Sequence, residues 1–133
     1  MNLETELNVL IHNVINSKGS HFDLAILIYN IYKNDYKVHN DKWYKQNHNN
    51  QWIEMELAKD LYINISLKIF DLLFEKHQEL FNQSRIVQTL EESDLYKEKA
   101  KILFKIANQC KMVNYKQSLI KECKIIFTVD NLD

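Results

Sequence analysis

The chain has 133 residues, with one glycine, no proline, two cysteines, 46% hydrophobic residues and a formal net charge of −1. That length fits one domain, and a chain of this size buries about two thirds of its unfolded surface without disulfide or metal staples. Gly19 alone cannot write a Walker loop, a dinucleotide fingerprint or a nucleophile elbow, and the missing prolines and glycines equally exclude collagen-like and turn-rich all-β chains.

Residues Leu3, Leu7, Leu10, Ile11, Val14 and Ile15 recur at the spacing of one helical face, which predicts a first helix capped by Asn2 and ended just before Gly19. Ser20-His21-Phe22-Asp23 reads as a capping-box variant opening a second helix from about 21 to 33. Apolar residues from Phe22 to Tyr32 wrap most of that helix, which predicts the central core element.

Between Asp35 and Met55 the pattern changes. Tyr36, Val38, Trp43, Tyr44, Trp52 and Ile53 favour strands, and polar clusters at 39–41 and 46–50 separate them, so the segment reads as a small β-hairpin or meander. Helical spacing returns from about Glu54 to Phe81 through Leu57, Leu61, Ile65, Ile69, Leu72, Leu73 and Leu80, with Phe70 and Phe74 broadening the face. Polar residues 82–92 predict a connection with one short turn, after which Ser93 or a neighbour caps a helix near 94–111.

That helix places Leu95, Ile102, Leu103, Ile106, Ala107 and Cys110 on its core side, and Lys97, Lys101 and Lys105 every four residues opposite. A last helix near 114–127 buries Tyr115, Leu119, Ile120, Cys123, Ile126 and Phe127 and turns Lys121 and Lys124 outward. The expected fold is mainly α, four to five helices with one small β-hairpin inserted after the second helix, forming a single domain over 1–133.

Charge is unevenly distributed: residues 49–94 carry −5, whereas residues 95–127 hold eight lysines and two glutamates, or +6. Lys97, Lys101, Lys105, Lys111, Lys116, Lys121 and Lys124 can therefore track a phosphate backbone as a sequence-blind surface, or simply solvate a helix face. Arg85 is the only arginine, and base readout in the major groove leans on guanidinium forks, so any nucleic-acid contact is expected to be weakly sequence-specific. On the hairpin, Trp43, Tyr44 and Trp52 alternate with Lys37, Lys42 and Lys45, a set suited to stacking unpaired bases or to pinning the hairpin onto the helices.

Other chemistry finds little footing. His12, His21, His39, His48 and His77 never stand at i, i+4, and Cys110 and Cys123 sit on apolar stripes, which predicts no metal site and no reactive thiol. The pairs Glu54-x-Glu56 and Glu92-x-Asp94 fall at predicted helix starts, where the helix dipole favours acids without a metal. The longest apolar run, Leu24 to Tyr29, has six residues against the ~18 a membrane span needs. No secretory leader pattern or C-x-x-C pair is present, so an intracellular, reducing compartment is the expectation.

The runs His21-Phe22-Asp23-Leu24-Ala25, Ile28-Tyr29, Tyr32-Lys33, Lys42-Trp43-Tyr44, His48 and Trp52-Ile53-Glu54, with Ile120-Lys121-Glu122-Cys123 before Ile126-Phe127, resemble the amino-terminal accessory domain of viral primase-helicases. Poxviruses, giant DNA viruses and some phages and plasmids carry it directly before a superfamily-three helicase motor, and the likeness spans about residues 20 to 133. The resemblance implies a non-catalytic helical spacer, without cofactor, between priming and unwinding modules of the same or another chain. It also implies a place near single-stranded or duplex DNA, support of ring assembly with possible self-association, and location in the host cytoplasm or at a viral replication site. The chain holds no G-x-x-x-x-G-K-[ST] loop, so either an excised domain or a stand-alone remnant of such a protein is implied. The competing reading is a general protein-interaction or oligomerisation module.

Overall fold

The computed structural model describes residues 3–133, and Asn2, the expected first cap, lies outside them. Helix α1 (Leu3–Asn16) ends where Lys18 and Gly19 adopt positive φ, and the Gly19 amide donates back to the Val14 carbonyl at 2.9 Å, closing the last turn. A side chain at Gly19 would collide with Ile106, its Cβ only 2.8 Å from Cγ1. Ser20 then caps α2 (His21–Tyr32), accepting from the Asp23 amide at 3.2 Å and donating to the Asp23 carboxylate at 3.0 Å. Leu24, Ala25, Leu27 and Ile28 are fully buried between α1 on one side and the last helix on the other; Phe22, expected in this core, faces solvent.

The expected hairpin is a three-stranded antiparallel meander, β1 (Tyr36–His39), β2 (Lys42–Gln46) and β3 (Trp52–Met55), in the order β1-β2-β3. With no glycine available, Asn40 and Asp41 supply the two positive-φ residues of the β1–β2 turn. The chain end covers the outer edge of β1, since the Val129 amide donates to the Val38 carbonyl at 2.8 Å.

Glu54 and Met55, expected to begin a helix, belong to β3 instead. A 3₁₀ turn (Glu56–Ala58) follows, in which Leu57 and Ala58 both take left-handed φ, so Leu57 is 85% exposed rather than part of the core. The helix proper begins only after that strained corner. It runs as α3 (Lys59–Asn64), a π-helical stretch (Ile65–Ile69) and α4 (Phe70–Ile86) without a break.

The π stretch has a sequence cause. Leu61, Ile65, Ile69 and Leu73 are all buried and stand four apart, and such a row drifts about 40° per step on a 3.6-residue helix. A wider turn offsets that drift and keeps the row on the core.

Helix α4 continues to Ile86, through residues expected to form a loop, and Val87–Thr89 turn the chain back into α5 (Leu90–Gln109). Thr89, not Ser93, is the cap, accepting from the Glu92 amide at 3.1 Å. Leu95, placed in the core by its spacing, is largely exposed because it precedes the stretch of α5 that reaches the core. Helix α6 (Val113–Phe127) closes the fold against α2, and its Phe127 ring receives Tyr29 and Trp43 at 5.1 and 5.5 Å between centroids. None of the described helices is long and apolar enough to cross a membrane.

Candidate nucleic-acid interface

The lysine ridge of α5 is present as a solvent-facing row. Lys97, Lys101 and Lys105 are exposed, and none of the three has a carboxylate within salt-bridge reach among the described residues. The turn between α1 and α2 adds a cation that the spacing could not reveal. Lys18 joins Lys101 and Lys105 around a groove of about 440 Å³, whose other walls include Glu98, Phe104 and Gln109. Lys18 arrives there because the two left-handed residues at the end of α1 swing the chain across toward Ile106 of α5.

The rest of the basic set divides. Lys116, expected on the ridge, is 8% exposed; its ammonium donates to Ser66 Oγ at 2.7 Å and stands 3.9 Å above the Tyr62 ring. Ser66 in turn donates to the Cys110 carbonyl at 3.3 Å, so this lysine ties α6 to the π stretch. Lys111 lies 3.8 Å over the Phe70 ring. Lys124 is half-buried and ion-paired with Asp41 at 2.9 Å, which fastens α6 to the β1–β2 turn, whereas Lys121 is exposed.

The hairpin residues do not form one surface. Trp43 is 5% exposed and packs on Phe127, so its ring pins the sheet to α6 and is not available to a base. Lys42 pairs with Glu54 at 3.5 Å and Lys45 with Asp60 at 3.2 Å. Tyr44 and Trp52 are half-buried, with Lys37 lying 4.6 Å over the Trp52 ring.

Behind Lys45 is a half-buried polar knot. The Tyr36 hydroxyl donates to Asp60 and accepts from Asn64 Nδ2 at 2.7 Å, joining β1 to α3. Tyr36 donation, ahead of the Lys45 charge, holds the Asp60 carboxyl below the usual range, while burial pushes the Tyr36 phenol up.

Both thiols are buried, and burial pushes Cys110 and Cys123 up to about 12. Among the described residues, no group of three or more His, Cys, Asp or Glu is placed to hold a metal ion. Glu54 lies on β3 and pairs with Lys42, so of the two expected acid pairs only Glu92-x-Asp94 lies at a helix start.

A scan of protein-family models finds none that matches the chain, and a search of curated proteins finds no match either.

Proposed function

We propose that this chain is a non-catalytic accessory module that contacts DNA without sequence preference, of the kind that supports a viral or mobile-element primase-helicase. The observation that carries the reading is the row Lys97, Lys101 and Lys105, joined by Lys18 at one groove and free of competing ion pairs among the described residues. Ammonium groups repeating every turn on an exposed arc meet phosphates as point charges, releasing counterions without reading bases. The replication setting rests on the resemblance of residues 21–54 and 115–127 to the accessory domain. Priming and helicase modules are the protein partners that likeness supplies, and self-association in a ring is part of the same proposal.

The non-catalytic part rests on chemistry that the residues lack. One glycine cannot cradle a triphosphate, and both thiols are buried in their apolar environment. Anisotropy titration with a fluorescent oligothymidylate tests the DNA contact: Lys101→Glu with Lys105→Glu is expected to weaken binding and leave helicity intact, since both side chains stand in water. Unchanged affinity in that double variant defeats the assignment to α5.

A second reading has its own observation. Leu57 protrudes from the strained corner beside a groove of about 730 Å³ floored by Tyr62 and Ile120, an arrangement suited to a protein partner. Sedimentation of Leu57→Ser against the native chain tests it, and a concentration-dependent oligomer lost in the variant favours this reading.

A further inference from the structure

Helix α4 carries an aromatic row that starts against the core at Phe70 and runs out to the surface at Phe81. Phe70, Phe74, His77, Phe81 and Arg85 recur at i, i+4, i+7, i+11 and i+15, one arc of the helix, next to the buried arc of Leu73, Leu80 and Ser84. Helix α5 contributes Phe104 to the same line. Its ring lies 5.0 Å from His77 and 6.1 Å from Phe74, and Phe74 is stacked on Phe70 at 5.6 Å with 13° between planes.

Two of these rings remain open: Phe81 is 38% exposed and Phe104 43% exposed. They border a groove of about 420 Å³, lined also by Phe74, His77, Gln78 and Asn82. His77 is oriented there by its Nδ1–H, which donates to the Ala100 carbonyl at 2.7 Å and leaves Nε2 as the nitrogen for a ligand.

Cations frame the row. Lys111 covers Phe70 at one end, and at the other the Arg85 guanidinium lies over one face of Phe81, 4.8 Å from its centroid, leaving the opposite face for a base. Phe104 also forms a wall of the groove that holds Lys18, Lys101 and Lys105, so the aromatic and the basic surfaces share an edge. Because α5 returns antiparallel after a three-residue turn, the His77–Ala100 level implies that Lys97 stands near the level of Phe81. Acidic Asp71, Glu75 and Glu79 lie further round α4, beyond the polar edge of the row.

We infer that the α4–α5 face is a binding groove for single-stranded nucleic acid, in which bases stack on Phe81 and Phe104 while Lys97, Lys101 and Lys105 hold the phosphates. Rings offered beside ammonium groups fit a strand whose bases are unpaired, because duplex bases already stack on one another. From His77, beside Phe104, to Phe81 the open part of the row spans about 6 Å at 1.5 Å per residue, the length of roughly two stacked nucleotides. Gln78 and Asn82 add amides that hydrogen-bond any base edge without selecting one.

This inference rests on the DNA-contact reading and fails separately from it. The native chain, Phe81→Leu with Phe104→Leu, Phe104→Tyr and Lys101→Glu with Lys105→Glu are titrated with a ten-residue oligothymidylate and an abasic strand of equal length, after circular dichroism verifies folding. The native chain is expected to prefer thymidylate about tenfold or more, the double leucine variant to lose that preference with its salt slope unchanged, and Phe104→Tyr to retain it. Equal affinity for both strands in the native chain, with the lysine variant still impaired, overturns the stacking groove and leaves the lysine contact standing. No binding of either strand overturns both, and capture of a glutamate–tyrosine copolymer through the same rings in place of DNA assigns the face to a protein partner and overturns the inference.

Discussion

The Lys116 ammonium is bonded to the Ser66 hydroxyl at 2.7 Å inside the protein, where α6 meets the one π-helical stretch described. A buried cation is tolerated there because three features meet it: a hydroxyl acceptor, the face of Tyr62, and a hydroxyl proton passed on to the Cys110 carbonyl. Ser66→Ala removes the acceptor and the carbonyl's donor together, which is expected to cost about 1–3 kcal/mol. Lys116→Met keeps the stem's packing without the charge and is expected to cost less. Urea denaturation of both variants checks the order, and a Met variant weaker than the Ala variant contradicts it.

The Tyr36–Asp60 knot predicts pH dependence of defined sign. Asp60 titrates below its ordinary value when folded, so its contribution is present above about pH 4 and is lost as pH falls through the folded value. Tyr36 titrates above its ordinary value, so its contribution is present below about pH 10 and is lost as pH rises beyond that. Tyr36→Phe is expected to lower stability by about 1–3 kcal/mol at pH 7 and to flatten both limbs, read as urea midpoints from pH 3 to pH 11.

At Gly19 backbone and packing demands coincide. Its φ is +80°, an added Cβ would stand 2.8 Å from Ile106, and the Tyr115 hydroxyl donates to its carbonyl at 2.8 Å. Gly19→Ala is expected to cost about 2–4 kcal/mol, since strain and overpacking add, and a fall in melting temperature by calorimetry is the check. An unchanged melting temperature contradicts the geometry of this turn.

Cys110 and Cys123 are expected to resist alkylation by iodoacetamide at pH 8 and to react fully in urea, because burial raises both thiols to about 12. Fast labelling of the folded chain, followed by mass spectrometry, contradicts their burial.

The helical plan was legible because it is written twice, in apolar spacing and in the Gly19 and Ser20 signals between α1 and α2. What escaped reading depends on where elements meet. Lys116 stands on the arc that α6 buries, with Leu119, Cys123 and Phe127 at i+3, i+7 and i+11, but its charge reads as outward, and only Ser66 arriving opposite it shows what lets an ammonium stay inside. Residues 82–86 looked like a loop because only Leu80 and Ser84 of that end face inward, yet hydrogen bonds carry the helix on to Ile86. Of the candidate site, Lys97, Lys101 and Lys105 were visible as a four-residue repeat. Lys18 and the Phe74–Phe104 contact required the folded α1–α2 turn and the α4–α5 pairing. Trp43 carried composition suited to stacking, but its alternation on β2 turns it onto Phe127.

The central claim, DNA held by lysines on α5, meets its most direct test in the salt dependence of oligothymidylate binding by the native chain. Contacts from Lys18, Lys97, Lys101 and Lys105 predict that log affinity falls linearly with log salt at a slope of about −2 to −3, at roughly 0.7 per phosphate contact on a single strand. Affinity that does not change with salt, or no binding at low salt, contradicts the account.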